Sequence, residues 1–141
     1  MINLENWRKA KKIDLHTVEE TDGKLTHIEI NNEIPFEVRR IFLIYDIPTT
    51  RTVRGNHASK NTEFFIQAIY GTAFLELFDG KNTVIYELNS LVQGVYVPPM
   101  TWIKIYGFSK NTIVQVCASL EYKNCKYINS YEVYMNQVNI D

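Results

Sequence analysis

The chain reads as an all-β fold, an antiparallel barrel or sandwich followed by one short C-terminal helix. Three observations carry that reading. Apolar and polar residues alternate over much of the length, turn residues break the alternation at short intervals, and nine Tyr, seven Phe and two Trp favour pleated structure. Short strands at regular spacing point to a sandwich or barrel rather than a βα fold.

The elements follow in order. Residues 26–30 alternate and set Ile28 and Ile30 on one face of a strand. Residues 41–45 are mostly apolar, which predicts a strand covered on both sides. Residues 64–70 and 72–78 are strand-like, and Gly71 between them marks a bulge or corner. Asp79-Gly80-Lys81-Asn82 is a turn, after which residues 83–88 return as a strand. Gln93-Gly94 reads as the next turn. Residues 95–97 then run into Pro98-Pro99, which ends ladder donation. Residues 102–106 and 112–119 complete the strands. Tyr127, Tyr131, Tyr134 and Val138 fall at helical spacing, predicting an amphipathic helix whose aromatic stripe packs on the barrel.

With no linker and no internal repeat, the 141 residues form one domain, 1–141, long enough to bury a core without staples. Fifteen Lys and Arg against sixteen Asp and Glu give a net charge of -1, which argues against nucleic acid as a partner. The densest basic run, Arg8, Lys9, Lys11 and Lys12, reads as a solvated segment. No signal-like stretch and no window approaching ~20 apolar residues occurs, so neither export nor a membrane is expected. A cytoplasmic location keeps Cys117 and Cys125 as free thiols. Cys117 lies in an apolar run and reads as a core residue.

Chemistry concentrates around one of the three histidines. His16 and His27 stand singly among polar neighbours, whereas His57 lies in Arg54-Gly55-Asn56-His57-Ala58-Ser59-Lys60. Flanking cations keep an imidazole neutral, the state a general base needs near neutral pH. The bland alternative is a loop histidine bonded to the backbone. The spacing His57-x-Ser59-x3-Glu63 is similar to the first cupin motif, in which two His at i and i+2 and a later Glu point inward. Ser59 occupies the second His position, and residues 98–103 supply no further His. Too few ligands remain for a transition metal, so neither a metal nor another cofactor is expected.

Three segments carry a wider resemblance: Ile34-Pro35-Phe36-Glu37-Val38-Arg39-Arg40-Ile41, the Arg54 to Lys60 run, and Gly94-Val95-Tyr96-Val97-Pro98-Pro99-Met100-Thr101-Trp102. In order and length, from about residue 13 to residue 131, the chain resembles the sugar nucleotide 3,4-ketoisomerases, the WxcM-like or FdtA/QdtA group. Six of seven positions agree with its motif R-G-x-H-A-H-K, counting the variable one. The resemblance implies a metal-free cupin, an RmlC-like jelly-roll barrel, that dimerises, often by exchanging N-terminal strands. It implies isomerisation of a dTDP-linked 4-keto-6-deoxyhexose from the 4-keto to the 3-keto form, supplying 3-amino sugars. His57 matches the first His of the motif. Ser59 replaces the second, which the family uses in proton transfer, and Ile103 stands where a His usually follows the Trp.

Such a reaction needs a base for the C3 proton, a donor for C4, and positive charge or donors for the oxyanion. His57 suits the base, and Ser59 could relay a proton or hold a water. Arg54 and Lys60 are candidates to neutralise the enediolate or diphosphate, although strand alternation sets both opposite His57 unless Gly55 bulges. Tyr45, Tyr96 and Tyr106 are alternative donors. Tyr96 and Trp102 are candidates to stack on the base or hexose, against the plainer reading of core packing. Two other functions fit the same residues, a C3/C5 epimerase and a non-catalytic nucleotide-sugar binder.

Overall fold

Two antiparallel sheets of five strands each face one another across an apolar interior. The computed structural model describes residues 9–139. In chain order the strands are β1 (Lys11–Asp14), β2 (His16–Glu20), β3 (Gly23–His27), β4 (Arg40–Ile44), β5 (Arg54–Ser59), β6 (Phe64–Tyr70), β7 (Ala73–Phe78), β8 (Thr83–Leu88), β9 (Gln93–Val97), β10 (Trp102–Tyr106), β11 (Ile113–Ala118) and β12 (Tyr127–Ile128). Helix α1 (Tyr131–Val138) follows. One sheet runs β1-β9-β6-β11-β4, the other β12-β5-β10-β7-β8, and β2-β3 forms a separate hairpin. The two ladders do not join, so the jelly roll is a sandwich rather than a closed barrel.

Period-two patterning builds the interior. Val114, Val116 and Ala118 of β11 alternate inward, as do Phe64, Ile66 and Ala68 of β6, and they meet Leu75 and Leu77 of β7 and Ile103 and Ile105 of β10. Gly71 is the corner where the chain leaves one sheet for the other. Its φ is +74°, and a Cβ there would lie 2.5 Å from Thr112 Oγ1, so only glycine fits. At the β7–β8 turn, the Asp79 carboxylate accepts from the Lys81 and Asn82 N–H groups at 2.8 and 2.7 Å.

The outer faces are covered differently. Ile34 and Phe36 lie over Phe65, Tyr96 and Cys117 on the first sheet, where burial pushes the Cys117 thiol up. Helix α1 covers Ala58, Trp102 and Ile128 on the second. Ser130 caps it by accepting from the Val133 N–H at 3.3 Å. The Tyr134 hydroxyl lies 2.9 Å from both the Phe78 and Met100 carbonyls, which share its proton. Burial raises this phenol to about 12. Tyr134→Phe leaves those carbonyls without that donor and is expected to cost about 1–3 kcal/mol, read from the urea midpoint at unchanged slope.

Four sequence expectations need correction. Strand β3 stops at His27, and Ile30 makes only an isolated bridge to Ile34. Gln93-Gly94 is strand, not turn: a Cβ on Gly94 would sit 2.1 Å from the Phe65 ring, so this glycine marks a close approach rather than a reversal. Residues 41–45 are not covered on both sides, since β4 is an edge strand and Ile41, Leu43 and Tyr45 are exposed. Tyr127 belongs to β12 and not to the helix. Of the basic run, Lys9, Lys11 and Lys12 are exposed, and Arg8 lies outside the described residues.

Candidate active site

The register between β5 and β10 decides what faces the interior beside His57. His57 pairs with Ile103, but the next pair is Gly55 with Lys104, then Arg54 with Ile105. Asn56 is therefore an extra residue, a β-bulge, and both it and Gly55 have positive φ, +60° and +78°. Directly opposed residues share a face, and Ile103 and Ile105 point inward. The bulge thus brings Arg54 inward together with His57. Without it, Arg54 would oppose Tyr106 and face outward. The indole N–H of Trp102 donates to Asn56 Oδ1 at 3.2 Å and holds the bulge from the outer face.

His57 and Arg54 line a cavity of about 120 Å³, roughly the space of a few waters. Its other walls are mainly apolar, from Phe42, Ile44, Ile66, Ile103 and Val116. That apolar setting, and not the flanking cations expected from sequence, drives His57: desolvation lowers its pKa and outweighs a backbone hydrogen bond that raises it. The neutral imidazole carries a buried Nδ1 with no hydrogen-bond partner. Such atoms are uncommon in interiors and call for a ligand or water.

One residue that sequence reasoning missed completes the wall. Tyr127 lines the same cavity, its ring edge-on to the His57 imidazole with centroids 4.7 Å apart. Its hydroxyl accepts from Arg40 Nη2 at 2.9 Å. Burial raises the phenol, Arg40 pulls it down, and the neighbouring Cys125 raises it. Helical spacing to Tyr131 hid this residue. The usable signal was Ser130, a helix N-cap that leaves Tyr127 outside the helix.

The other sequence candidates lie elsewhere. Ser59 is buried at the end of β5, where its hydroxyl accepts from the Thr62 N–H at 3.1 Å and contacts Cys125 Sγ at 3.4 Å. That oxygen is committed to the turn, and Ser59 does not line the cavity. Trp102 packs under α1, so its place is behind the bulge rather than against a ligand. Tyr96 lies on the outer face of its sheet, donating to Glu63 Oε1 at 2.6 Å. Lys60 and Tyr96 line a separate groove of about 880 Å³ together with Lys9 and Asn61. Tyr106 donates outward to Glu76 at 3.0 Å, and Tyr45 is exposed. Among the described residues, no three His, Cys, Asp or Glu converge as metal ligands.

Comparison with known proteins adds a second line. The model of the WxcM-like, C-terminal family matches residues 8–139. A TDP-4-oxo-6-deoxy-alpha-D-glucose-3,4-oxoisomerase from Aneurinibacillus thermoaerophilus is 31% identical over 134 residues, covering 93% of this chain and 96% of that one. The structure of a 3,4-ketoisomerase from Helicobacter canadensis superposes with a TM-score of 0.87 at 31% identity, covering 92% of this chain and 97% of that one. The sugar 3,4-ketoisomerase QdtA from Thermoanaerobacterium thermosaccharolyticum, solved with TDP, gives 0.87 at 26% identity, covering 93% and 95%.

Proposed function

The chain belongs to the WxcM-like, C-terminal family, and from that membership we propose that it is a TDP-sugar 3,4-ketoisomerase. It moves the carbonyl of a TDP-linked 4-keto-6-deoxyhexose from C4 to C3 through an enediol. A 3-keto product is the form an aminotransferase requires, so the reaction feeds 3-amino-sugar synthesis. The observation that carries the reading is the neutral His57, its buried Nδ1 without a hydrogen-bond partner, facing the same cavity as Arg54. The C3 hydrogen, acidified by the neighbouring carbonyl, is removed by His57 and returned to C4 by the imidazolium. Arg54 at the exposed mouth offsets negative charge on the substrate. The apolar walls keep bulk water from the enediol and hold His57 in its basic form.

The same reading makes the protein a cytoplasmic homodimer. Its support is the exposed apolar row formed by Ile41 and Leu43 on the edge strand β4 and Tyr45 just beyond its end, with the β2–β3 hairpin that pairs only with itself among the described residues. An isolated hairpin is marginal in water. No helix among the described residues is long and apolar enough to cross a membrane.

A TDP-sugar binder without catalysis is the second reading, favoured by Ser59 being tied into its turn and by apolar Ile103 beside His57. Incubation with TDP-4-keto-6-deoxyglucose, followed by NMR, separates the cases. The expected product carries its carbonyl at C3. An epimer with the carbonyl still at C4, or TDP binding with unaltered sugar, overturns the proposal.

A further inference from the structure

The isomerisation moves two protons, one from C3 to C4 and one from the C3 hydroxyl to the C4 oxygen. A single imidazole accounts for the first; the second needs a group that both gives and takes a proton at oxygen. Ser59 is bound into its turn and Ile103 is apolar. Resting on the isomerase reading above, we propose that Tyr127 is a second catalytic residue, the acid–base for the substrate oxygens, with Arg40 as its positioning residue.

Three observations carry this. Tyr127 shares the cavity wall with His57, the two rings edge to face at 4.7 Å. The Arg40 guanidinium on β4 reaches across to β12 and donates to the phenol oxygen at 2.9 Å, so that oxygen is held by a cation while its own proton stays with the phenol. Arg40 also lies over the rings of Phe42 and Tyr122, at 5.0 and 5.4 Å to their centroids, which fixes the guanidinium plane. Finally, Arg40 Nε and His57 Nδ1 are both buried without hydrogen-bond partners. Each belongs to a residue in contact with Tyr127, and buried polar atoms left open in this way call for a polar ligand or water.

The protons balance. As neutral His57 takes the C3 proton, the Tyr127 phenol gives its proton to the C4 oxygen, leaving an enediol, an imidazolium and a phenolate paired with Arg40. The imidazolium then protonates C4 while the phenolate takes the proton of the C3 hydroxyl, whose oxygen becomes the carbonyl. Both side chains return to their starting forms, and no redox partner or external acid is consumed.

The test compares wild type, Tyr127→Phe, Arg40→Met and Arg40→Lys with TDP-4-keto-6-deoxyglucose in deuterated water. Tyr127→Phe keeps the ring against His57. Its kcat is expected to fall about 10²–10³-fold with TDP affinity within about threefold of wild type. An enolate unable to exchange its oxygen proton returns to C3, so deuterium at C3 of recovered substrate, relative to product formed, rises about tenfold or more. Arg40→Met shows the same split and Arg40→Lys recovers part of the rate. Turnover of Tyr127→Phe within about threefold of wild type overturns the inference. So does a rate loss matched by loss of TDP binding, which assigns the pair to packing. A wild type that leaves the sugar unaltered sinks the isomerase reading and this inference with it.

Discussion

His57→Asn is expected to lower kcat by about 10²–10⁴-fold, the range that a positioned base contributes, while TDP affinity stays close to wild type. The asparagine keeps a polar side chain in the cavity but cannot hold a proton removed from carbon. The pH dependence distinguishes this from a packing defect. Burial lowers the folded pKa of His57 below the usual value of about 6.5, so wild-type kcat/KM stays flat through neutral pH. It falls only as acid protonates the imidazole below that usual range. The substituted protein lacks this acid limb. Stability follows the same sign: the unfolded chain takes up the proton first, so wild type loses stability as pH falls from about 6.5 toward the lower folded pKa. His57→Asn does not lose it, which thermal melts across that window check. A wild-type pH–rate profile with no acid limb, or equal acid loss of stability in both proteins, contradicts the assignment.

Gly55→Val is expected to have the largest effect on the scaffold of the site. A branched side chain at φ +78° is disfavoured, and its Cβ would lie 2.9 Å from the Ile103 carbonyl oxygen. Left-handed strain and overpacking together cost about 2–5 kcal/mol. Activity is expected to fall further than the unfolded fraction explains, because relief of the strain by closing the bulge turns Arg54 out of the cavity. Melting curves give the first quantity, and kcat/KM measured well below the melting temperature gives the second. A variant with the melting temperature and kcat/KM of wild type would detach the bulge from function.

The sandwich was legible because period-two alternation is a local signal, and β7, β8, β10 and β11 need only that. The bulge was legible as a need: alternation placed Arg54 opposite His57, and Gly55 was the residue able to absorb an extra position. What stayed hidden depends on the partner strand. Gly94 reads as a turn because a sequence cannot display the Phe65 ring passing over it. Residues 41–45 look like a central strand although β4 lies at an edge, since apolar content does not distinguish a covered face from an uncovered one. Tyr127 fits the helical spacing of Tyr131, and only its pairing with Ser59 across β12 and β5 sets it in the cavity. Ser59 occupies the position of a catalytic histidine in the motif, yet its oxygen is taken by a turn whose donor, the Thr62 N–H, is visible only once the chain is folded. Cations beside His57 in sequence suggested electrostatic tuning, whereas apolar walls contributed by four other strands supply it.

The central claim, that His57 carries a proton between the two carbons of a bound keto-sugar, is tested most directly by following TDP-4-keto-6-deoxyglucose in deuterated water by NMR, with wild type and His57→Asn side by side. Wild type is expected to yield a 3-keto product bearing deuterium at C4, and His57→Asn to yield neither product nor exchange at C3. Isomerisation by His57→Asn at the wild-type rate, with the same label at C4, would contradict it.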